Sequence, residues 1–205
     1  KFSRWITRWK LVSYNIRWNI RLRRDYTKLH KLGYVSNFQE YLDFIFRPLL
    51  DENSLADINL QFFLSTVCSF DVVIDDQDDY VWRDFTRVDT GPREWTAQGD
   101  NPPVAYYMYY IYKYVSLVNQ LRANRQQNTI PLRSYCPTTD NRPSQFIPHM
   151  NITEQIESLV CNMLLCQGGL LQGEPLWFTS SAVTYAYFLL QIPVVISPLS
   201  SVSLL

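Results

Sequence analysis

The order of elements along the chain predicts an α/β fold built on parallel strands. Three observations carry this. Strand-like and helix-like runs alternate from end to end. Of the 205 residues, 47% are apolar and 19% charged, enough to bury one sizeable core and too apolar for disorder. Aromatics reach 15%, with 14 Tyr and 6 Trp, so large rings should dominate the packing. An open doubly wound sheet and a closed barrel both fit. With 6 Gly and no Gly-x-Gly-x-x-Gly after a first strand, the nucleotide-binding sheet is the weaker of the two.

The elements follow in order. "RWITRWKLV" reads as helix or loop. In "NIRWNIRL", Ile16, Trp18, Ile20 and Leu22 alternate with polar residues, a period of two, hence a strand. "DYTKLHKLGY" is a short helix stopped near Gly33. "SNFQEYLDFIFRPLL" places Phe38, Tyr41, Leu42, Ile45 and Leu49 at helical spacing, with Ser36 or Asn37 as cap and Glu40 set for a capping box. "ADINLQFFLSTVCS" is a further helix and "FDVVID" the second strand. Residues 75–103 hold many Asp, two Gly and three Pro, so they form an acidic loop rather than a packed element.

After the loop, "VAYYMYYIYKYVSLVNQLRANR" is a long aromatic helix. Its tyrosines suggest a base-stacking platform, but packing on one side and exposure on the other is the plainer reading. "TIPLRSYC" is the third strand, "ITEQIESLVCNML" a helix, and a fourth short strand lies near "LLCQGG". The uncharged stretch 175–205 raises the question of a membrane span. Gln191, Pro193, Pro198 and several Ser divide it into a helix, "SSAVTYAYFLLQ", and a buried strand, "PVVISPL". The chain starts at Lys1 and ends in an apolar run without a closing element, so it is expected to be a piece of a longer one.

Charge sums to zero but is unevenly spread. Residues 1–32 hold ten Lys or Arg against one acid, and residues 51–100 hold twelve acids against three Arg. A basic segment suits nucleic acid or an acidic protein surface, yet the interleaved Trp and Ile favour packing within the fold. Nucleic acid is therefore not an expected partner. The four cysteines, Cys68, Cys136, Cys161 and Cys166, form no Cys-x-x-Cys pair, and the two His are His30 and His149. That spacing carries no zinc signature, and scattered thiols fit an intracellular, cytoplasmic or cytoskeletal setting. A thiol cluster of Cys136, Cys161 and Cys166 is disfavoured by its spacing, and a metal site on His149 lacks partners.

Five stretches, in order, resemble the AMP deaminase family, zinc enzymes of the adenosine-deaminase-like barrel superfamily. They are "NIRWNIRLRRDY", "NFQEYLDFIFRPLL", "FDVVIDDQ", "DNPPVAYYMYYIYKYVSLVNQLRANR" and "AYFLLQIPVVISPLSSVSLL". The Tyr-rich helix and Ser197-Pro198-Leu199-Ser200 are the most specific. The resemblance implies a (β/α)8 TIM-like barrel of the adenosine/AMP deaminase type, with residues 1–205 as its middle part. Chemistry in such barrels sits at the C-terminal ends of the strands.

Those ends depart from the family pattern. In the family, the strand that matches "TIPLRSYC" ends in Arg-Pro-His-Cys-Gly-Glu, its His a zinc ligand and its Glu handling the ring proton. Here these positions are Tyr135 and Thr138, with Cys136 kept and Pro137 in place of Gly. The next strand ends in Ile-Ser-His-Gly, which is matched to Leu165-Cys166-Gln167-Gly168, so Gln167 replaces the His that assists the metal-bound water. A phenol with a pKa of about 10 is a poor zinc ligand at neutral pH. Thr138 and Gln167 cannot move protons as the family chemistry requires.

The resemblance thus implies a deaminase-like protein with no intact catalytic residue and no zinc, kept for its surface. Such a chain would be a structural or regulatory subunit of a large protein assembly or the partner of an active paralogue. A nucleotide sensor without turnover, with Arg133, Ser197 and Ser200 as candidate contacts, is the alternative. So is a genuine AMP deaminase whose catalytic residues lie elsewhere. Interface candidates are the aromatics of the basic segment, Trp5 and Trp9, and of the acidic loop, Tyr80, Trp82 and Trp95.

Overall fold

The computed structural model describes residues 2–51, 56–73, 89–96, 101–135, 152–173, 176 and 180–196. Four strands form one parallel sheet: β1 (Trp18–Arg23), β2 (Val67–Val73), β3 (Leu132–Tyr135) and β4 (Leu170–Leu171). Their order in the sheet is their order in the chain. Val194 bridges parallel to Leu170 beyond β4, where a fifth strand was expected. Over these strands the order never reverses, and reversal is what a doubly wound sheet requires. The helices are α1 (Phe2–Arg8), α2 (Tyr26–Lys31), α3 (Phe38–Leu50), α4 (Ile58–Ser65), α5 (Val104–Asn124), α6 (Ile152–Leu165) and α7 (Ser181–Leu189).

The register gives the sheet two unlike faces, because alternate residues of a strand point to opposite sides. Leu22, Phe70, Val72 and Leu132 share one side and join the core beneath the helices. Asn19, Arg21, Arg23, Ser69, Asp71, Arg133 and Tyr135 share the other. The first side is held by apolar burial, and the second is mostly polar, with Val73 and Leu171 beside Arg23 and Tyr135 at its C-terminal end.

The start of α3 shows how local sequence fixes an element. The first backbone N–H groups of a helix have no partner within it. Here Phe38 N–H donates to Trp95 O at 3.1 Å and Gln39 N–H to Pro92 O at 3.0 Å. Glu40 N–H donates to Asn37 Oδ1 at 2.9 Å, and Ser36 N–H donates back to Glu40 Oε2 at 2.7 Å. The expected capping box is present, shifted one residue outward. Just before α5, Pro102 O accepts from the Arg24 guanidinium at 2.8 Å, and Asn101 Oδ1 accepts from Thr27 N–H at 3.1 Å.

Aromatic rings fill the space between α2, α3 and α5, as composition predicted. The Phe38 ring lies 5.6–6.2 Å from those of Tyr26, Tyr41, Tyr106, Tyr107 and Tyr110. Tyr41 and Tyr107 point their hydroxyls at Arg23 O, at 2.5 and 2.6 Å, and the two oxygens are 2.5 Å apart. The α5 tyrosines divide as expected: Tyr106 and Tyr107 are buried, while Tyr109 and Tyr112 are exposed.

Burial pushes the Tyr41 hydroxyl up to about 12 and raises that of Tyr107 well above its ordinary value. A phenol whose folded pKa is raised stabilises the fold fully below its unfolded value, about 10, and loses that contribution as pH rises through the folded value. Stability should therefore fall between pH 10 and about 12, with about 2–3 kcal/mol of the fall from Tyr41. Urea midpoints at pH 9 and 11 test this. A double Tyr41→Phe, Tyr107→Phe variant should lose clearly less stability over that interval, and an equal loss would refute the assignment.

Two expected boundaries move. Strand β2 begins at Val67, not Phe70. Thr66 ends α4 by donating its hydroxyl and its N–H to Phe63 O, at 2.6 and 2.9 Å, and β-branched Val67 then enters the sheet. Strand β4 follows the Gly168-Gly169 pair rather than preceding it. Gly169 has φ +131°, and a Cβ on Gly168 would lie 2.6 Å from Leu132 O. The pair is thus the tight turn that delivers β4 beside β3. No helix of the described residues is long and apolar enough to cross a membrane.

Candidate functional site

The C-terminal ends of β1, β3 and β4 bring Arg23, Tyr135 and Leu171 to one edge, with Tyr135 in register with Leu171. Tyr135 is half-buried, and the Arg21 guanidinium lies over its ring at 5.4 Å. Two residues earlier on β3, Arg133 grips Asp71 with two hydrogen bonds, Nε to Oδ1 at 2.8 Å and Nη2 to Oδ2 at 2.9 Å. Asp71 is 1% exposed and also accepts from the Ser69 hydroxyl at 2.6 Å. These hydrogen bonds hold the Arg133 guanidinium more firmly protonated than usual. Arg133, a candidate substrate contact from sequence, is thus engaged in a forked pair that ties β3 to β2.

Gln167 is not where the sequence reading put it. It is exposed, in the turn before β4, next to Gly168, whose N–H donates to Leu132 O at the start of β3. That is the opposite end of the sheet from Tyr135. The residue that immediately follows β4 is Gln172, with φ +53°, a left-handed conformation that costs a non-glycine residue about 1–2 kcal/mol. The apolar-apolar-Gln-Gly pattern that fits the strand end is therefore Leu170-Leu171-Gln172-Gly173. The chemistry of the position is unchanged, since an amide again stands where a histidine was expected.

Trp95 also departs from its expected role. It is 4% exposed, with its ring 5.0 Å from that of Tyr106 and its carbonyl accepting from Tyr26 Oη at 3.1 Å. Its surface is used by its own chain, because the start of α3 needs that carbonyl. Trp5 and Trp9 are 47% and 62% exposed, as an interface requires. Tyr80, Trp82, Thr138, Ser197 and Ser200 lie outside the described residues, as do Cys136, Pro137 and His149.

Among the described residues, the donors at this edge are a phenol, an amide and guanidinium groups. Among the described residues no three His, Cys, Asp or Glu side chains stand together as metal ligands. A guanidinium over the phenol further opposes a divalent cation there. This donor set does not fit zinc. Cys161 and Cys166 offer no alternative, because burial pushes the Cys161 thiol up to about 11 and the Cys166 thiol higher. An open groove of about 670 Å³ between α3 and α5, lined by Asp43, Arg47, Tyr110, Lys113 and Tyr114, lies in the helical layer, away from this edge.

The sequence matches the family model described as AMP deaminase over residues 1–205. The chain belongs to the AMP deaminase family. A Saccharomyces cerevisiae protein named "inactive deaminase" is 56% identical, over 100% of this chain and 24% of that protein. A second S. cerevisiae protein named "inactive deaminase" is 46% identical, over 98% of this chain and 26% of that protein. The AMP deaminase of S. cerevisiae is 34% identical, over 98% of this chain and 23% of that enzyme. The chain thus spans about a quarter of the length of the curated relatives it matches. Tyr135, which the sequence reading matched to that family's histidine ligand, is the last residue of β3.

Proposed function

We propose that this chain is part of a deaminase-family barrel that no longer deaminates AMP and serves as a structural or regulatory subunit of a protein assembly. The observation that carries the reading is Tyr135 at the end of β3, under the Arg21 guanidinium, where the family places a metal-binding histidine. Gln172 at the end of β4 supports it, as do the names of the two yeast relatives. Parallel strands lying in the sheet in chain order support the barrel. The assembly half rests on Trp5 and Trp9, exposed beside Arg4 and Arg8 on a segment rich in positive charge.

Each lost proton-handling group lowers a rate by about 10²–10⁴-fold, and loss of the metal removes the activated water as well. The complete protein should release no more ammonia from AMP than an enzyme-free control and should contain no stoichiometric zinc. It should also migrate in native extracts well above its monomer mass. Ammonia above the control, or about one zinc per chain, would overturn the loss of turnover. A monomer in native extracts would overturn the assembly reading alone.

A further inference from the structure

Two helices that pack on each other, α1 and α4, turn apolar side chains to solvent. Ile6 is the buried residue of α1, while Phe2, Trp5 and Trp9 are exposed. Trp9 N–H donates to Trp5 O at 3.0 Å, so the helical path carries on to it. Residues three and four apart are neighbours on a helix, so these three rings form one stripe. On α4, Phe63 and Leu64 are buried, while Ile58 and Phe62 form an exposed stripe of their own. The Phe2 ring stacks on Trp5 at 5.7 Å and meets Phe63 edge-on at 5.6 Å, which ties the two stripes together. The charge around them is positive. Residues 1–17 hold Lys1, Arg4, Arg8, Lys10 and Arg17 and no acid. The acids that adjoin α4 in the chain are Asp51, Glu52 and Asp57, so five bases stand against three acids. That count includes Lys1 and Glu52, which lie outside the described residues. Asp57 is already engaged: it accepts from Asn59 N–H at 2.9 Å and lies 3.6 Å from Arg4. The acidic run 75–79 follows Val73, which lies about 20 Å along β2 from Val67, the residue paired with Trp18 beside Phe2.

We propose that this surface docks an acidic amphipathic segment of another protein. Its apolar side chains would lie on the two stripes and its carboxylates would meet Arg4, Arg8 and Lys10. Exposed aromatic stripes rimmed by charge mark interaction surfaces, and Trp and Arg carry most of the energy at such surfaces. The rings are also preformed. Phe2 is braced edge-on against Trp18 at 5.5 Å as well as against Phe63, so little side-chain freedom is lost on docking. A second copy of this chain fits less well, because it would set the same positive charge against itself. Bases of a nucleic acid need open ring faces, and Phe2 already spends one face on Trp5. The inference rests on the assembly half of the proposed function and gives that assembly a surface and a partner chemistry.

Photo-crosslinking in the cells that make the complete protein tests it, with p-benzoylphenylalanine in place of Phe62 and the crosslinked peptides sequenced. The expected product joins Phe62 to a segment of a different protein in which Asp and Glu outnumber Lys and Arg around spaced apolar residues. Trp5→Ser should lower the crosslink yield about tenfold or more, as loss of a central interface tryptophan does. Arg4→Gln with Arg8→Gln should lower it about threefold, since exposed charge pairs are each worth little. Lys28→Gln on α2 should leave it unchanged. The side chains replaced are exposed, so unchanged urea midpoints separate lost docking from lost folding. A crosslink to this chain itself, residues 75–88 included, to a second copy, to lipid or to nucleic acid would overturn the proposal, as would a basic partner segment. A high mass in native extracts with no crosslink from Phe62 would overturn this surface and leave the assembly reading standing. A monomer in native extracts would overturn both.

Discussion

Replacing Arg133 by methionine is expected to destabilise the protein by about 3–5 kcal/mol, because it strands a buried charge. Asp71 is 1% exposed, and its two hydrogen bonds to Arg133 come from a side chain of the neighbouring strand. Without that partner the carboxylate keeps, among the described residues, the Ser69 hydroxyl at 2.6 Å, too little to offset its lost hydration. The size of the effect is the cost of breaking the pair and not the worth of having it. Replacing both partners, Asp71→Leu with Arg133→Met, should therefore recover most of the stability. Urea unfolding of the complete protein at pH 7 measures both. A single variant that loses under 1 kcal/mol would show that water reaches Asp71.

This pair shows which parts of the site the sequence carried and which it did not. Asp71 sits in "SFDVV" and Arg133 in "PLRSY", each a charge inside an apolar run. Such a charge is buried and needs a partner, but only strand register says that the two meet. Tyr135 stood out because it lies between Arg133 and Cys136 at the end of a strand-like run. Gln172 did not, because Gln167-Gly168 and Gln172-Gly173 look alike and a two-residue strand has no period. Pairing of Tyr135 with Leu171 decides between them. The arginines of β1 followed from alternation, yet their freedom from Asp71 depends on Arg133 winning it.

Of the fold, α3 was readable because its apolar residues recur at helical spacing with a cap in place. Asn37 and Glu40 mark the start of α3, and Gly33, with φ +72°, closes the turn after α2. Trp95 shows the limit. It lies in a stretch of acids and prolines that argues for exposure, yet the unpartnered N–H of Phe38 draws its carbonyl inward. A contact between segments this far apart in sequence leaves no local trace.

Phe38→Ala should cost about 3–5 kcal/mol, the usual range for emptying a buried phenylalanine site. The ring is fully buried and touches five tyrosines from α2, α3 and α5, so no single neighbour can move in to fill the space. Phe38→Leu keeps most of the volume and should cost less than half as much. The effect should also reach the strand edge. Tyr41 and Tyr107, both packed on Phe38, hold the carbonyl of Arg23 by their hydroxyls, and that carbonyl ends β1. Amide hydrogen exchange at Arg23 and Arg24 should therefore quicken in Phe38→Ala by more than at Val72, in the middle of the sheet. Uniform quickening would mean only global loss of stability. A selective rise would show that the aromatic cluster is what fixes the arginine edge in place.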